Sequence, residues 1–178
     1  MGIHLSHQTV HNWTQTFGVE LGLKLRERRK GENGKEWHTD STYIQVEGRG
    51  CYFYRAIDKE GNLVDVYLSD VRDQAAAETF FNQAKTTTGI TPNQITTDKE
   101  PALYPALKNV FGKSTHHHDS KYKNNCIEQE QRPITRLRVM KGFKNIFSAL
   151  IFCTVFEEIR QFSRMKNKTH SERRKLIL

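Results

Sequence analysis

Between Tyr43 and Leu68 the chain carries three β-strand signals in close succession, joined by connections too short for crossovers. Tyr43-Ile-Gln-Val46 runs into Glu47-Gly-Arg-Gly50. Cys51-Tyr-Phe-Tyr-Arg-Ala-Ile57 runs into Asp58-Lys-Glu-Gly-Asn62, and Leu63-Val-Asp-Val-Tyr-Leu68 closes the group. Gly-bearing connections of this length join antiparallel neighbours, so the three strands form a meander. The pattern then alternates. Asp73 to Ala84 is helical, with Asp73 as its cap and Ala76, Phe80, Phe81 and Ala84 on one face. Gln94-Ile-Thr-Thr97 is a short β-branched run. After Pro101, Leu103, Leu107, Val110 and Phe111 return to helical spacing, and a short segment covers Lys113 to Asp119. Asn124 onward reads as helix again. A last long helix runs from Asn145 to Ser163, with Ile146, Phe147, Leu150, Ile151, Val155, Phe156 and Ile159 expected to pack inward. This order predicts an α/β domain with a mixed five-stranded sheet flanked by helices.

Ahead of that domain, Ser6 to Phe17 reads as an amphipathic helix. Ser6 is its N-cap, Val10, Trp13 and Phe17 form its apolar stripe, and Gly18 is its C-cap. The polar face (His7, Gln8, Thr9, His11, Asn12) carries side chains of the kind that read base edges. A helix-turn-helix needs a preceding helix, and only Met1 to Leu5 stand before this one, so the reading is a partial motif. Glu20 to Lys35 reads as the end of a helix and a flexible linker. The expected organisation is residues 1–36 as partial helix-turn-helix and linker, 37–163 as the core, and 164–178 as a basic tail.

Three acids sit where chemistry is expected. Asp98 ends the Gln94 strand and precedes a loop and helix, at the strand edge where open α/β sheets bind ligands. Asp40 lies in Trp37-His-Thr-Asp-Ser-Thr-Tyr-Ile-Gln-Val46, and Glu128 in Asn124-Asn-Cys-Ile-Glu-Gln-Glu-Gln-Arg132. In a ribonuclease-H-like sheet the first and fourth strands lie side by side. Asp40 and Asp98 would then be neighbours, with Glu128 descending from a helix. Converging carboxylates stay ionised only when cations neutralise them, and hard divalent ions such as Mg²⁺ or Mn²⁺ suit oxygen ligands. Glu130 competes for the third place. On a helix it lies about 200° round from Glu128, whose face Arg132 shares at i+4.

Charge is distributed unevenly. The net charge is +8, yet acids outnumber bases between residues 37 and 120, and bases far outnumber acids from residue 121 on. An acidic site beside a basic surface suits a protein that gathers cations and lays a polyanion next to them. No apolar run approaches a membrane span, no signal-peptide pattern opens the chain, and Cys51, Cys126 and Cys153 form no CxxC. Reduced thiols and a cytoplasmic location follow. His116, His117 and His118 resemble a metal cluster, but consecutive strand residues alternate faces and cannot all converge.

In order along the chain, Trp37-His-Thr-Asp-Ser-Thr-Tyr-Ile44, Tyr52-Phe-Tyr-Arg-Ala-Ile-Asp58, Thr97-Asp-Lys-Glu-Pro-Ala102, Lys121-Tyr-Lys-Asn-Asn-Cys-Ile-Glu-Gln129 and Met140-Lys-Gly-Phe-Lys144 form a series. It resembles the D-D-E transposases with a retroviral-integrase-type core, most closely the insertion-sequence-six family of bacterial elements. The resemblance implies a ribonuclease-H-like fold and a metal-binding catalytic triad of Asp40, Asp98 and Glu128, holding two Mg²⁺ or Mn²⁺ ions. It implies metal-dependent DNA strand cleavage and strand transfer, double-stranded DNA (the element's terminal repeats and target) as partner, a homo-oligomer on DNA, and a nucleoid-associated location. Lys99, Lys121, Lys123, Arg132, Arg136, Arg138 and Lys141 flank the triad and are expected to bind phosphates without reading sequence. Departures from the family pattern are Ser41 where relatives carry Glu, a shorter interval between second and third acids, and Glu130-Gln131-Arg132 in place of Asp-His-Arg. Pro133 also falls inside an expected helix. Relatives carry further sequence before the Ser6 helix. The alternative reading is a truncated, catalytically inactive DNA-binding remnant of such a transposase.

Overall fold

The computed structural model describes residues 6–28, 30–97, 100–119, 143 and 145–163. Helix α1 (His7–Arg28) precedes strands β1 (Glu36–Val46), β2 (Arg49–Asp58) and β3 (Leu63–Ser69). Helix α2 (Gln74–Thr88), strand β4 (Gln94–Thr97), helix α3 (Leu103–Phe111), a 3-10 turn (Gly112–Ser114), strand β5 (His116–Asp119) and helix α4 (Ile146–Ser163) follow. The strands form one five-stranded sheet in the order β3-β2-β1-β4-β5. β1 to β3 pair antiparallel as the meander required, and β4 and β5 add in parallel beside β1. This is the expected mixed sheet, with the first and fourth strands adjacent.

Local chemistry fixes these elements. The β1–β2 hairpin closes on Glu47 and Gly48, both at positive φ (53° and 72°), the backbone that matches strand twist in two-residue turns. Asp73 caps α2 by accepting the Ala76 amide at 2.8 Å, and Gly89 ends that helix in the left-handed conformation. One sheet face is covered by α2 and α3 around Trp37, Tyr54, Phe80, Phe81, Leu103 and Leu107. The other carries Ile44, Val46, Phe53, Leu63 and Val66 against Ala149 and Cys153 of α4.

Two expectations are corrected. Gly18 does not end the first helix: α1 is one helix through Arg28, and Gly18 is buried inside it. Gly18, Gly22 and Leu25 share a face, and a Cβ at Gly22 would lie 3.1 Å from Val155 Cγ2 of α4. Gly22 therefore serves close helix packing, and Gly18 continues the helix and does not terminate it. Within the charged stretch from Glu20, Glu20 and Lys24 pair at 2.6 Å on the outer face of this helix, where Phe17 is also exposed, whereas Arg26 turns inward to buried Asp65. The inward face of α4 also differs. Ile146, Phe147, Leu150 and Ile159 are exposed, whereas Ala149, Cys153, Val155, Glu157 and Glu158 are buried. The helix is apolar nearly all round, so periodicity does not single out the face that small residues bring close to the sheet. Among the described residues no helix is long and apolar enough to cross a membrane.

Candidate active site

The parallel ladder of β1 and β4 ends at Thr39 opposite Thr97. Both threonines are buried, and each is followed in the chain by an acid, Asp40 and Asp98. Asp40 is half-buried, and its register partner on β2 is Arg55. Its Oδ1 accepts the backbone N–H of Ser41 at 2.7 Å. Arg55 donates from Nε to Glu157 Oε2 of α4 at 2.9 Å, which identifies the face Asp40 shares as the one beneath α4. Asp98 and Lys99 lie outside the described residues, as do Glu128, Glu130, Lys121, Lys123, Arg132, Pro133, Arg136, Arg138 and Lys141.

On the opposite face of the same sheet end is a polar cluster that the sequence alone did not disclose. Glu100 is buried. Its Oε2 accepts the Ser41 hydroxyl at 2.7 Å and its Oε1 accepts Arg72 Nε at 2.7 Å. Arg72 comes from the connection between β3 and α2, and its guanidinium lies 5.7 Å from the Tyr52 ring centroid. Burial, and after it the nearby Glu100 charge, push the Tyr54 phenol well above its ordinary pKa, so this buried tyrosine is a neutral wall of the cluster.

The histidine run occupies β5. His117 Nε2 shares a 2.8 Å hydrogen bond with Thr97 Oγ1, and its ring is 5.0 Å from that of Tyr104. Burial lowers its pKa from 6.5 against the opposing pull of Asp119. His117 therefore braces the strand that leads to Asp98, which is a supporting role.

Asp40 offers one carboxylate, anchored through Oδ1 by an amide, and an oxygen donor of this kind suits a hard divalent cation; among the described residues it is not joined by a group of three or more His, Cys, Asp or Glu side chains that could hold a metal ion. Residues 34–167 match a family model described as a DDE domain, of the IS240 transposase type. Over 157 residues the chain is 33% identical to the transposase for insertion sequence-like element IS431mec of Staphylococcus aureus, covering 84% of this chain and 69% of that protein. The chain belongs to the insertion-sequence-six family of D-D-E transposases. Its fold agrees. The HTLV-2 integrase catalytic core domain, solved in complex with magnesium in a dimeric form, superimposes with a TM-score of 0.57 at 19% identity, covering 79% of this chain and 96% of that one. A chain of the simian T-cell lymphotropic virus intasome in complex with PP2A regulatory subunit B56 gamma matches with a TM-score of 0.54 at 13% identity, over 80% of the transposase chain. The transposase chain spans about half, 53%, of that viral chain.

In this D-D-E transposase, Asp40 is held on the central strand of a ribonuclease-H-like sheet, with Ser41 next to it. Ser41, Glu100 and Arg72 are the neighbours that sequence reasoning missed. The only signal was Glu100 inside Thr97-Asp-Lys-Glu-Pro-Ala102, and its partners stand 28 and 59 positions away.

Proposed function

We propose that this chain catalyses metal-dependent cleavage and strand transfer of DNA, with Asp40, Asp98 and Glu128 as the metal-binding triad. The observation that carries the reading is the parallel register of Thr39 with Thr97, because the residues that follow these two threonines in sequence are Asp40 and Asp98. Glu128 enters by the match of Asn125-Cys-Ile-Glu-Gln129 to the family pattern. Nothing in the fold or the comparisons favours the inactive-remnant alternative.

Two Mg²⁺ or Mn²⁺ ions bound there would supply Lewis-acid activation and charge neutralisation at the scissile phosphate. The three carboxylates are the residues that would hold them. The nucleophile is water in strand nicking and a DNA 3′-hydroxyl in strand transfer. It attacks phosphorus in line, so that one P–O bond forms as another breaks. No covalent enzyme intermediate is required, and no activated Ser or Tyr is assigned. Lys99, Lys121, Lys123, Arg132, Arg136, Arg138 and Lys141 would hold the DNA backbone, and the protein would act as a homo-oligomer on the element's ends in the bacterial nucleoid.

The test is nicking and strand transfer on labelled DNA bearing the element's own ends, with Mg²⁺ or Mn²⁺, beside Asp98→Asn. The expected outcome is activity in the parent, its loss in the variant, and DNA binding retained in both. Undiminished nicking by Asp98→Asn would remove Asp98 from the triad.

A further inference from the structure

Residue 41 faces two ways. Its amide N–H donates to the Asp40 carboxylate, while its hydroxyl donates to Glu100. Glu100 stands two residues after Asp98, at the start of the segment that leads into α3. Its side chain is 3% exposed, although an isolated carboxylate so deeply buried is costly. The structure meets that cost with two hydrogen bonds, one of them to a cation, at 2.7 Å each. These bonds tie together β1, the 100–102 segment after β4, and the β3–α2 connection. Arg72 is braced in turn against the Tyr52 ring on β2.

We propose that Glu100 is a positioning residue. Through Ser41 it fixes the orientation of the Asp40 carboxylate. The inference rests on the triad reading and deepens it. Groups that orient metal-ligating carboxylates typically change metal affinity about 10–100-fold when removed. A bond with only a structural purpose would lower the melting temperature and leave metal affinity alone.

The experiment compares the full chain with Ser41→Ala, Glu100→Gln and Glu100→Ala. Calorimetric titration with Mn²⁺ in the absence of DNA gives the half-saturating concentration, and metal-free thermal melts give stability. Glu100→Gln retains an acceptor for Ser41 and loses the ion pair, so it should bind Mn²⁺ about threefold more weakly. Ser41→Ala deletes one oxygen and spares the Glu100–Arg72 pair, so it folds, and it should weaken binding about tenfold, as should Glu100→Ala. Mg²⁺-dependent nicking should need correspondingly more metal in the same order. Folded Ser41→Ala and Glu100→Gln proteins with Mn²⁺ half-saturation within twofold of the parent would overturn the inference while leaving the triad intact. A parent that takes up no more Mn²⁺ than Asp40→Asn would instead overturn the triad reading, and this inference with it.

Discussion

Arg55 of β2 and Glu157 of α4 form a 2.9 Å ion pair with both side chains almost wholly buried. Arg160 Nη1 adds a second contact to Glu157 at 3.4 Å. The pair joins the last helix to the strand next to Asp40, because Arg55 is the register partner of Asp40. Removing one member leaves the other charge buried. Glu157→Ala should therefore destabilise the protein by about 3–5 kcal/mol, read from urea or thermal unfolding. Replacing both, as Arg55→Met with Glu157→Leu, should recover a large part of that loss. A single variant within about 0.5 kcal/mol of the parent would show the pair to be inert.

The α1–α4 contact depends on the absence of a side chain at Gly22. A Cβ there would meet Val155 Cγ2 at 3.1 Å and Val155 Cα at 3.5 Å. Gly22→Leu forces the helices apart and should cost about 1–3 kcal/mol by overpacking, despite leucine's better helix propensity. Hydrogen exchange across residues 18–28 should rise together with the loss of stability. The ion pair of Arg26 with buried Asp65 at 2.8 Å, supported by Thr87, is the second tether of α1. Exchange confined to α1 is the expected signature, and unchanged protection there would refute the packing argument.

How much of this was legible beforehand follows from the range of each interaction. The meander, the Asp73 cap and the Gln94 strand rest on contacts a few residues long, and pattern alone placed them. Gly18 misled because a glycine that ends a helix and a glycine buried inside a longer one look alike in sequence. The inward face of α4 misled for a related reason: its apolar residues surround the helix, and the buried Glu157 is inward only because Arg55 stands 102 positions earlier. At the candidate site, Asp40 and Asp98 stand out in sequence because one lies within, and the other directly follows, a readable strand pattern. Glu100 and Arg72 do not, since a buried carboxylate betrays itself only through partners distant in sequence.

His117 gives the fold a pH dependence with a definite sign. Burial, the largest cause, lowers its folded pKa below the ordinary 6.5 of the unfolded chain. The folded state thus binds fewer protons than the unfolded state. Its contribution is fully present above pH 6.5 and is lost as pH falls through the folded pKa. Acidification from pH 7 toward 5 should lower the melting temperature, and His117→Gln, which can still bond the Thr97 hydroxyl, should flatten that part of the profile. An identical profile in the variant would assign the acid sensitivity to other groups.

Capping offers a small and clean test of the α2 assignment. Asp73 Oδ1 accepts the Ala76 amide at 2.8 Å, and its backbone is extended, as an N-cap requires. Asp73→Ala should cost about 1 kcal/mol, and Asp73→Ser or Asp73→Asn should restore most of it. Thermal melts of the three variants decide this. Because Arg72 immediately precedes the cap and bonds Glu100, a fraying α2 start would loosen that contact too. Asp73→Ala should therefore also weaken Mn²⁺ binding slightly, whereas Asp73→Ser should not.

Basic side chains on the far side of the proposed triad in sequence test how DNA is held. Arg136 and Arg138 follow Glu128 within a stretch rich in Lys and Arg. If they neutralise phosphates, each contributes to counterion release. Replacing both with Ala should then weaken binding to all DNA sequences alike and reduce the steepness of the salt dependence by about two in the log–log slope. Affinity measured between low and moderate salt on an element end and on unrelated DNA of equal length separates the cases. Parallel losses on both duplexes assign these residues to the backbone. A loss on the element end alone assigns them to base edges, because contacts in the grooves carry sequence information and contacts to phosphate do not.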